Sequence, residues 1–327
     1  MAIVNSSVVL PVEYTREIIK GIQGRSKALE LGRRLSDMRT KSEKLNVLTT
    51  LARAGWVKLS QTPANAEGAE INRKPISQIA WEGIDLVAET IACIVSISEE
   101  TLADTEDYGV SVVPTITEDV IAAFQQVIDA TIFFGVDSPW SGFNGIVAGA
   151  TAAGATVAWD GATGTSFYQA VSSAMEMVET SGYIPDAILG GPSLRSAFRS
   201  TITELGVLAG DQGEVGALPR HVDLTGGFLQ SQAFAIVGDF KRGLVYSFRE
   251  EMSMKLLTEA TIDDPTTGEK LYNLAQQDMI AFRFKLRMGA ALPNPVNRVS
   301  GVASGNVIKA GANAYPFAVI VKSNGSN

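Results

Sequence analysis

Apolar residues recur at three- and four-residue steps from Ile116 through Val120, Phe124, Val127 and Ile128 to Ile132. That spacing places them along one side of a helix. Pro114 suits the first turn, where its missing N–H would have had no partner. Thr115 and Glu118 have capping-box spacing, and Glu118 and Asp119 sit where the positive end of a helix dipole favours anions. The pattern predicts a rod of about twenty residues, roughly 30 Å long. A short acid-capped turn and a hinge at Tyr108-Gly109 lead into it, so residues 95–135 read as one spine with its lead-in.

Upstream, the apolar positions are Tyr14, Ile18 and Ile22, then Leu29, Leu35, Met38 and Leu45. They predict one or two amphipathic helices over 12–46, interrupted by Gly21, Gly24 and Gly32. Broken, basic helices of this kind bury little surface of their own, so the segment is expected to be an arm docked on something else. Residues 55–59 read as a strand and 79–86 as its return, with about twenty polar residues between them, Pro63, Gly68 and Pro75 included. A loop of that size inside a compact domain points to function, disorder or a partner. A two-stranded hairpin is marginal alone in water. Trp56 and Trp81 on such a hairpin must pack on their own domain or be covered by another surface.

Downstream lie a Gly/Pro-rich boundary (135–146) and a small-residue stretch (147–164). A helix is expected over 166–181, with Phe167, Ala170, Val171, Ala174, Met175 and Val178 as its stripe. Residues 186–189, 234–237, 244–248 and 252–257 read as strands, and 263–268 as a turn. A long strand is expected from 271 through 286 toward Pro293, and residues 312–321 read as an added edge strand. With no internal repeat and no βαβ series, the expected class is α+β.

Composition narrows the picture. The chain has 327 residues, 46% hydrophobic and 19% charged, which supports a sizeable core and excludes a disordered chain. The length fits about two domains. One cysteine, Cys93, lies in a β-like run and is expected to be an inert buried thiol. No stretch reaches the roughly 18 apolar residues of a membrane-spanning helix, and the start lacks the basic region of a signal peptide. Charge is unevenly spread. Residues 67–129 hold thirteen acids against Arg73 and Lys74, residues 16–44 hold nine cations against four acids, and no acid follows Asp278. Each cluster alone reads as a solvated face. Together they suit acidic surfaces of one copy meeting basic surfaces of another. The basic segments lack interleaved aromatics and the pI is about 4.9, which excludes a dedicated nucleic-acid reader.

Catalytic signals are thin. His221 is the single histidine, so any Ser-His-Asp or Cys-His relay would have to run through it; beside Pro219 it reads as structural. One histidine and one cysteine cannot build a zinc site. Gly190-Gly191-Pro192-Ser193 before a helix lacks the lysine of a phosphate loop and reads as tight-turn glycines. Asp263, Asp264 and Glu269 do not match an EF-hand and read as a hairpin turn. No catalytic residue, metal or cofactor is expected. A carboxylate-pair hydrolase, whose two acids need no fixed spacing, stays as an alternative.

The extended loop, the run Ser96-Ile-Ser-Glu-Glu-Thr-Leu-Ala-Asp104, the spine and the ending carry a resemblance. In the ending, Val237-Gly-Asp-Phe240 precedes a strand pair and a long strand up to Pro293. In that order, over roughly residues 45–295, these parts resemble the major capsid proteins of tailed bacteriophages, with the Hong Kong-type fold. The resemblance implies an N-terminal arm (1–46), an extended β-hairpin loop (49–89) and a peripheral domain with the spine helix (90–139 and 251–287). It further implies an axial domain (140–250 and 288–300) and a C-terminal extension (301–327). It implies a major capsid subunit that self-assembles as hexamers and pentamers into an icosahedral shell around packaged double-stranded DNA, made in the host bacterial cytoplasm and residing in the virion capsid. The implied partners are copies of the chain itself, a separate scaffolding protein, a portal, decoration proteins and non-specifically held DNA; no membrane and no cofactor is implied. The candidate inter-subunit contacts are Trp56, Lys58, Arg73, Lys74 and Trp81 on the loop, with Arg33 and Arg34 on the arm.

Two departures from the family pattern matter. Some members join neighbours by an isopeptide bond between a loop lysine and a strand asparagine, using a catalytic glutamate. Lys58 and Lys74 are candidate loop lysines, but the strand region reads Gln276-Gln277-Asp278 and then Arg283-Phe-Lys285-Leu-Arg287. It is cationic where the glutamate is expected, so no self-crosslinking is expected. Second, no long helical prodomain precedes the arm in this sequence: either a separate scaffolding protein guides assembly, the expectation that an initiating Met1 favours, or a prodomain was removed and is not in this numbering. An encapsulin-type nanocompartment shell would share the architecture; its N-terminal pattern, a tryptophan soon after an Ala-Pro-Ile segment, is missing.

Overall fold

The computed structural model describes residues 26–55, 76–107, 112–160, 165–199, 214–215, 218–264, 266–311 and 313–322. Ser26 caps a short helix, α1 (Lys27–Leu31), by accepting from the Leu29 amide. β1 (Arg33–Arg34) follows, then β2 (Ser42–Ala52) and its antiparallel return β3 (Ala80–Val87), with Leu48 opposite Trp81 and Leu45 opposite Ile84. β4 (Glu89–Ser98) and α2 (Glu99–Asp107) lead to the spine α3 (Val112–Phe134), which at 23 residues is about 34 Å long.

The next elements are α4 (Gly145–Ala152), β5 (Thr156–Trp159), α5 (Thr165–Thr180), β6 (Ala187–Gly190), α6 (Ser193–Arg199), β7 (Glu214–Val215), β8 (Leu218–Val222), β9 (Ala235–Gly238) and α7 (Phe240–Gly243). The chain then runs through β10 (Val245–Leu257), the hairpin β11 (Thr261–Asp263) and β12 (Lys270–Asn273), and β13 (Met279–Ala291). It finishes with the hairpin β14 (Val302–Ser304) and β15 (Val307–Lys309), and β16 (Phe317–Lys322).

Three larger sheets organise these strands: β1-β10-β13-β4, β14-β15-β2-β3, and β5-β16-β9-β6-β8-β7. In the first, every second residue of β13 (Ile280, Phe282, Phe284, Leu286, Met288) is buried in one core with Val120, Phe124, Ile128 and Ile132 of the spine. The period of two in the strand and of 3.6 in the helix thus face each other. In the last sheet, β6 and β9 are buried at every residue, because α4 and α5 pack on this sheet. A ring cluster of Trp159, Phe167, Phe198 and Phe234, with centroids 4.6–5.4 Å apart, fills that interface. Sheet and helices are therefore mixed but not doubly wound, as the α+β expectation has it.

Several sequence expectations are corrected. Residues 35–46 are not helical. The Leu35 amide donates to Tyr246 O and the Met38 amide to Phe248 O, each at 2.8 Å, so the chain runs extended beside β10. Leu35, Met38 and Leu45 then pack in a small cluster with Ile84, Leu86, Val245 and Ala291. Their spacing also fits a helix, and tertiary pairing overrides it. The strand that β3 returns along is Ser42–Ala52; of the expected strand 55–59, only Gly55 is described, and it is not in a strand. The long strand is interrupted by a 3-10 turn at Leu274–Gln276 and by Asp278, whose φ of 48° no strand residue adopts. Residues 244–248 and 252–257 form one strand, β10, with register shifts near Glu250. Finally, β16 is no edge. It lies between β5 and β9, and Phe317, Ala318, Val319 and Ile320 are wholly buried.

Candidate assembly surfaces

The β2–β3 hairpin is held at both ends and carries exposed apolar side chains between them. At its base Leu86 is buried, the Ala88 amide donates to Lys41 O, and Trp140 Nε1 donates to Val87 O at 2.8 Å. At its far end β15 pairs with β2, Val307 opposite Ala52 and Lys309 opposite Thr50. Arg53 Nη1 donates to Gly305 O, Ser77 Oγ to Asn306 O, and Arg298 Nη1 to Ala52 O. This C-terminal brace was missed as part of the loop. Its signal was present: Gly305-Asn306 joins two short β-prone runs as a two-residue hairpin turn, and Gly305 has φ 59°.

Despite that brace, Ile76, Ile79 and Trp81 are 76%, 51% and 65% exposed. Trp81 does not pack on its own fold. Glu82 and Asp85 on the same strand are exposed, and Asp85 faces Lys44 at 3.7 Å. Trp56, Lys58, Arg73 and Lys74 lie outside the described residues, as does the hinge at Tyr108-Gly109.

Arg33 and Arg34 sit on β1, in parallel register with Val245 and Tyr246. The Arg34 guanidinium bonds Asp37 at 2.8 Å and lies 5.1 Å over the Phe248 ring. The described part of the arm thus docks on its own chain. Tyr246 Oη donates to Leu29 O and Ser247 Oγ to Ser36 O, which extends that seam.

The face of the β1-β10-β13-β4 sheet that turns away from the spine is cationic. Arg283 lies between Lys255 and Ile94, Lys285 between Ser253 and Ala92, and Arg287 between Glu250 and Thr90. Lys285 Nζ bonds Glu250 at 2.8 Å; Lys255, Arg283 and Ile94 are exposed. Its other positions include the small residues Thr90, Ala92, Ser96 and Ser253. Cys93 points the other way and is half-buried, with burial raising its thiol pKa.

The other chemical candidates are structural. His221 stands 3.6 Å from Glu30, and burial lowers its pKa. The Asp264 carboxylate accepts from the Thr266 and Thr267 amides and closes the β11–β12 turn. Among the described residues no group of three or more His, Cys, Asp and Glu is placed to hold a metal.

The family model described as the phage capsid family matches residues 6–297. The chain belongs to the phage capsid family. Similar solved structures include a chain from Microbacterium phage Oxtober96, 28% identical, with TM-score 0.73 over 99% of this chain and 94% of that one. A chain from Mycobacterium phage Bobi is 26% identical, with TM-score 0.75 over 92% and 91%. A capsid chain of an empty GTA particle computed with C5 symmetry is 14% identical with TM-score 0.53 over 98% and 94%, a likeness of fold alone. No curated protein matches. This phage capsid subunit is a structural protein rather than an enzyme; it builds the icosahedral shell of a virion.

Proposed function

We propose that the subunit assembles as hexamers and pentamers into a closed shell around packaged double-stranded DNA, and that β2–β3 lies across a neighbouring subunit. The observation that carries this reading is Trp81, a large apolar side chain left exposed on a hairpin braced at both ends. Covering a side chain of that size is worth roughly 1.5–3 kcal/mol per subunit, repeated at every contact of a closed shell. The acidic strand β3 suits the neighbour's cationic face around Lys255 and Arg283. In this reading the arm, loop, peripheral and axial regions divide as the sequence suggests, except that β16 belongs to the axial sheet. Neighbours are joined without covalent bonds, a separate scaffolding protein guides closure, and portal and decoration proteins complete the particle.

The test is Trp81→Asp. The expected outcome is a subunit with unchanged circular dichroism and thermal midpoint that yields no closed shells in negative-stain micrographs. Shells at the parental yield would overturn the reading.

A further inference from the structure

Asp129 sits in the middle of the spine, yet its side chain is wholly buried. Its Oδ1 accepts from Ser26 Oγ at 2.6 Å and from the Ala28 amide at 3.0 Å, and its Oδ2 from the Lys27 amide at 3.3 Å. These are the donors at the start of α1, so one carboxylate of the spine holds the root of the arm. From the other side comes the loop after β8. Thr225 Oγ1 lies 3.2 Å from Asp129 Oδ2 and 2.7 Å from Asp223 Oδ1. A hydroxyl has one proton and donates it once. Asp223 is also buried, takes the Thr225 amide at 2.8 Å, and leaves its Oδ2 without a partner. Two buried carboxylates therefore compete for a single hydroxyl.

Among the described residues, no cation of the surrounding elements bonds either carboxylate. On α1, the Lys27 ammonium bonds Glu30. On β8, His221 also faces Glu30. On α3 itself, Gln126 reaches Gly226 O. A buried pair of like charges without a counter-ion is relieved by taking up a proton.

We propose that the Asp129–Thr225–Asp223 cluster is a proton-gated latch: it holds α1 on the spine while the carboxylate pair carries a proton, and lets go when the pair loses it. Burial, the largest cause, raises Asp129 from 3.8 to about 6; Asp223 adds to that, and the bonds from Ser26, Ala28 and Lys27 oppose it. With α1 undocked, water reaches Asp129 and its pKa returns toward 3.8. The docked state then binds more protons than the undocked one between about pH 4 and 6. Docking is strongest at the acid end of that window, weakens roughly tenfold per pH unit as pH rises through it, and is level above. The segment released runs from Ser26 to Met38 and carries Arg33 and Arg34. His221 also titrates near this window, with burial lowering its pKa and Glu30 opposing that, so the test must separate the two.

Hydrogen exchange of the intact chain provides the test, read on peptides covering 26–38 and divided by intrinsic exchange rates, from pH 4.5 to 8. The parent is expected to open at least tenfold more at pH 6.5 than at pH 4.5. Asp129→Asn is expected to remove that pH dependence, Asp223→Asn to move it to lower pH, and His221→Gln to leave most of it. A flat parental profile overturns the latch, as does an Asp129→Asn profile like the parent's, or loss of the dependence in His221→Gln. If Asp129→Asn does not fold, the Asp223→Asn midpoint decides: an unshifted midpoint overturns the proposal.

Discussion

A single glycine shows how tightly local geometry is specified. α5 ends in a Schellman motif: the Gly182 amide donates to Glu179 O and the Tyr183 amide to Val178 O, with Gly182 at φ 79°. The left-handed position alone disfavours any residue with a Cβ by about 1–2 kcal/mol. A Cβ there would also run into the Asn297 side-chain amide. That amide is already committed: Nδ2 donates to Ser181 O at 2.7 Å, and Oδ1 accepts from the Val299 and Ser300 amides. Gly182→Ala therefore has no cheap way to relax and is expected to destabilise the unassembled subunit by about 2–4 kcal/mol. Denaturant unfolding of Gly182→Ala beside the parent checks this, and an unchanged midpoint would refute it. Asp129 makes the complementary point. By sequence it is a polar interruption of the spine, and its burial follows only from two segments a hundred residues away in either direction folding onto it.

At the scale of elements, what the sequence made legible was whatever carries its own period. The spine, the helix over 165–180 and the buried strands ending at Gly190 and Gly238 appear within a residue or two of expectation, because their apolar positions repeat at 3.6 or run unbroken. Elements whose shape depends on a distant partner were misread. Leu35, Met38 and Leu45 are spaced as in a helix, but the ladder along β10 holds them extended. Val127 belongs to the apolar stripe by spacing and is nonetheless exposed. β16 departs most from expectation: residues 312–321 read as an added edge strand, and Phe317–Lys322 is an interior strand, parallel to β5 and antiparallel to β9. Phe317 packs its ring 5.1 Å from Phe240 and 5.7 Å from Tyr315. Ending the chain at residue 311 would leave β5 unpaired and open one edge of β9 within a core, so the expected product is aggregated or unfolded by near-ultraviolet circular dichroism. Phe317→Ala, a milder probe, should cost about 3–5 kcal/mol. A folded, shell-forming truncation would show that β16 is an accessory.

For the whole molecule, the charge partition seen in the sequence becomes two surfaces. The net charge is −8, yet Lys255 and Arg283 form a cationic patch on one sheet while Glu82 and Asp85 line an exposed strand of another. Sequence spacing could show that the signs were segregated but not that β13 sets its cations on one face, since that needs the register with β10 and β4. If these surfaces meet between copies, reversing either should block closure and reversing both should restore it. Lys255→Glu with Arg283→Glu and, separately, Glu82→Lys are each expected to give folded subunits with a parental thermal midpoint and few shells. These positions are exposed, and such substitutions typically change stability by less than about 0.5 kcal/mol. Combining the three substitutions in one chain should return shells, because the attraction is regenerated with its signs exchanged. Added salt should slow assembly of the parent, since exposed charges are screened beyond about 8 Å at physiological ionic strength. Particle yield by light scattering and microscopy reads all of these at once. Blocked single sets without recovery in the combined chain would mean that each surface meets some other partner, and would separate the pairing from the shell itself.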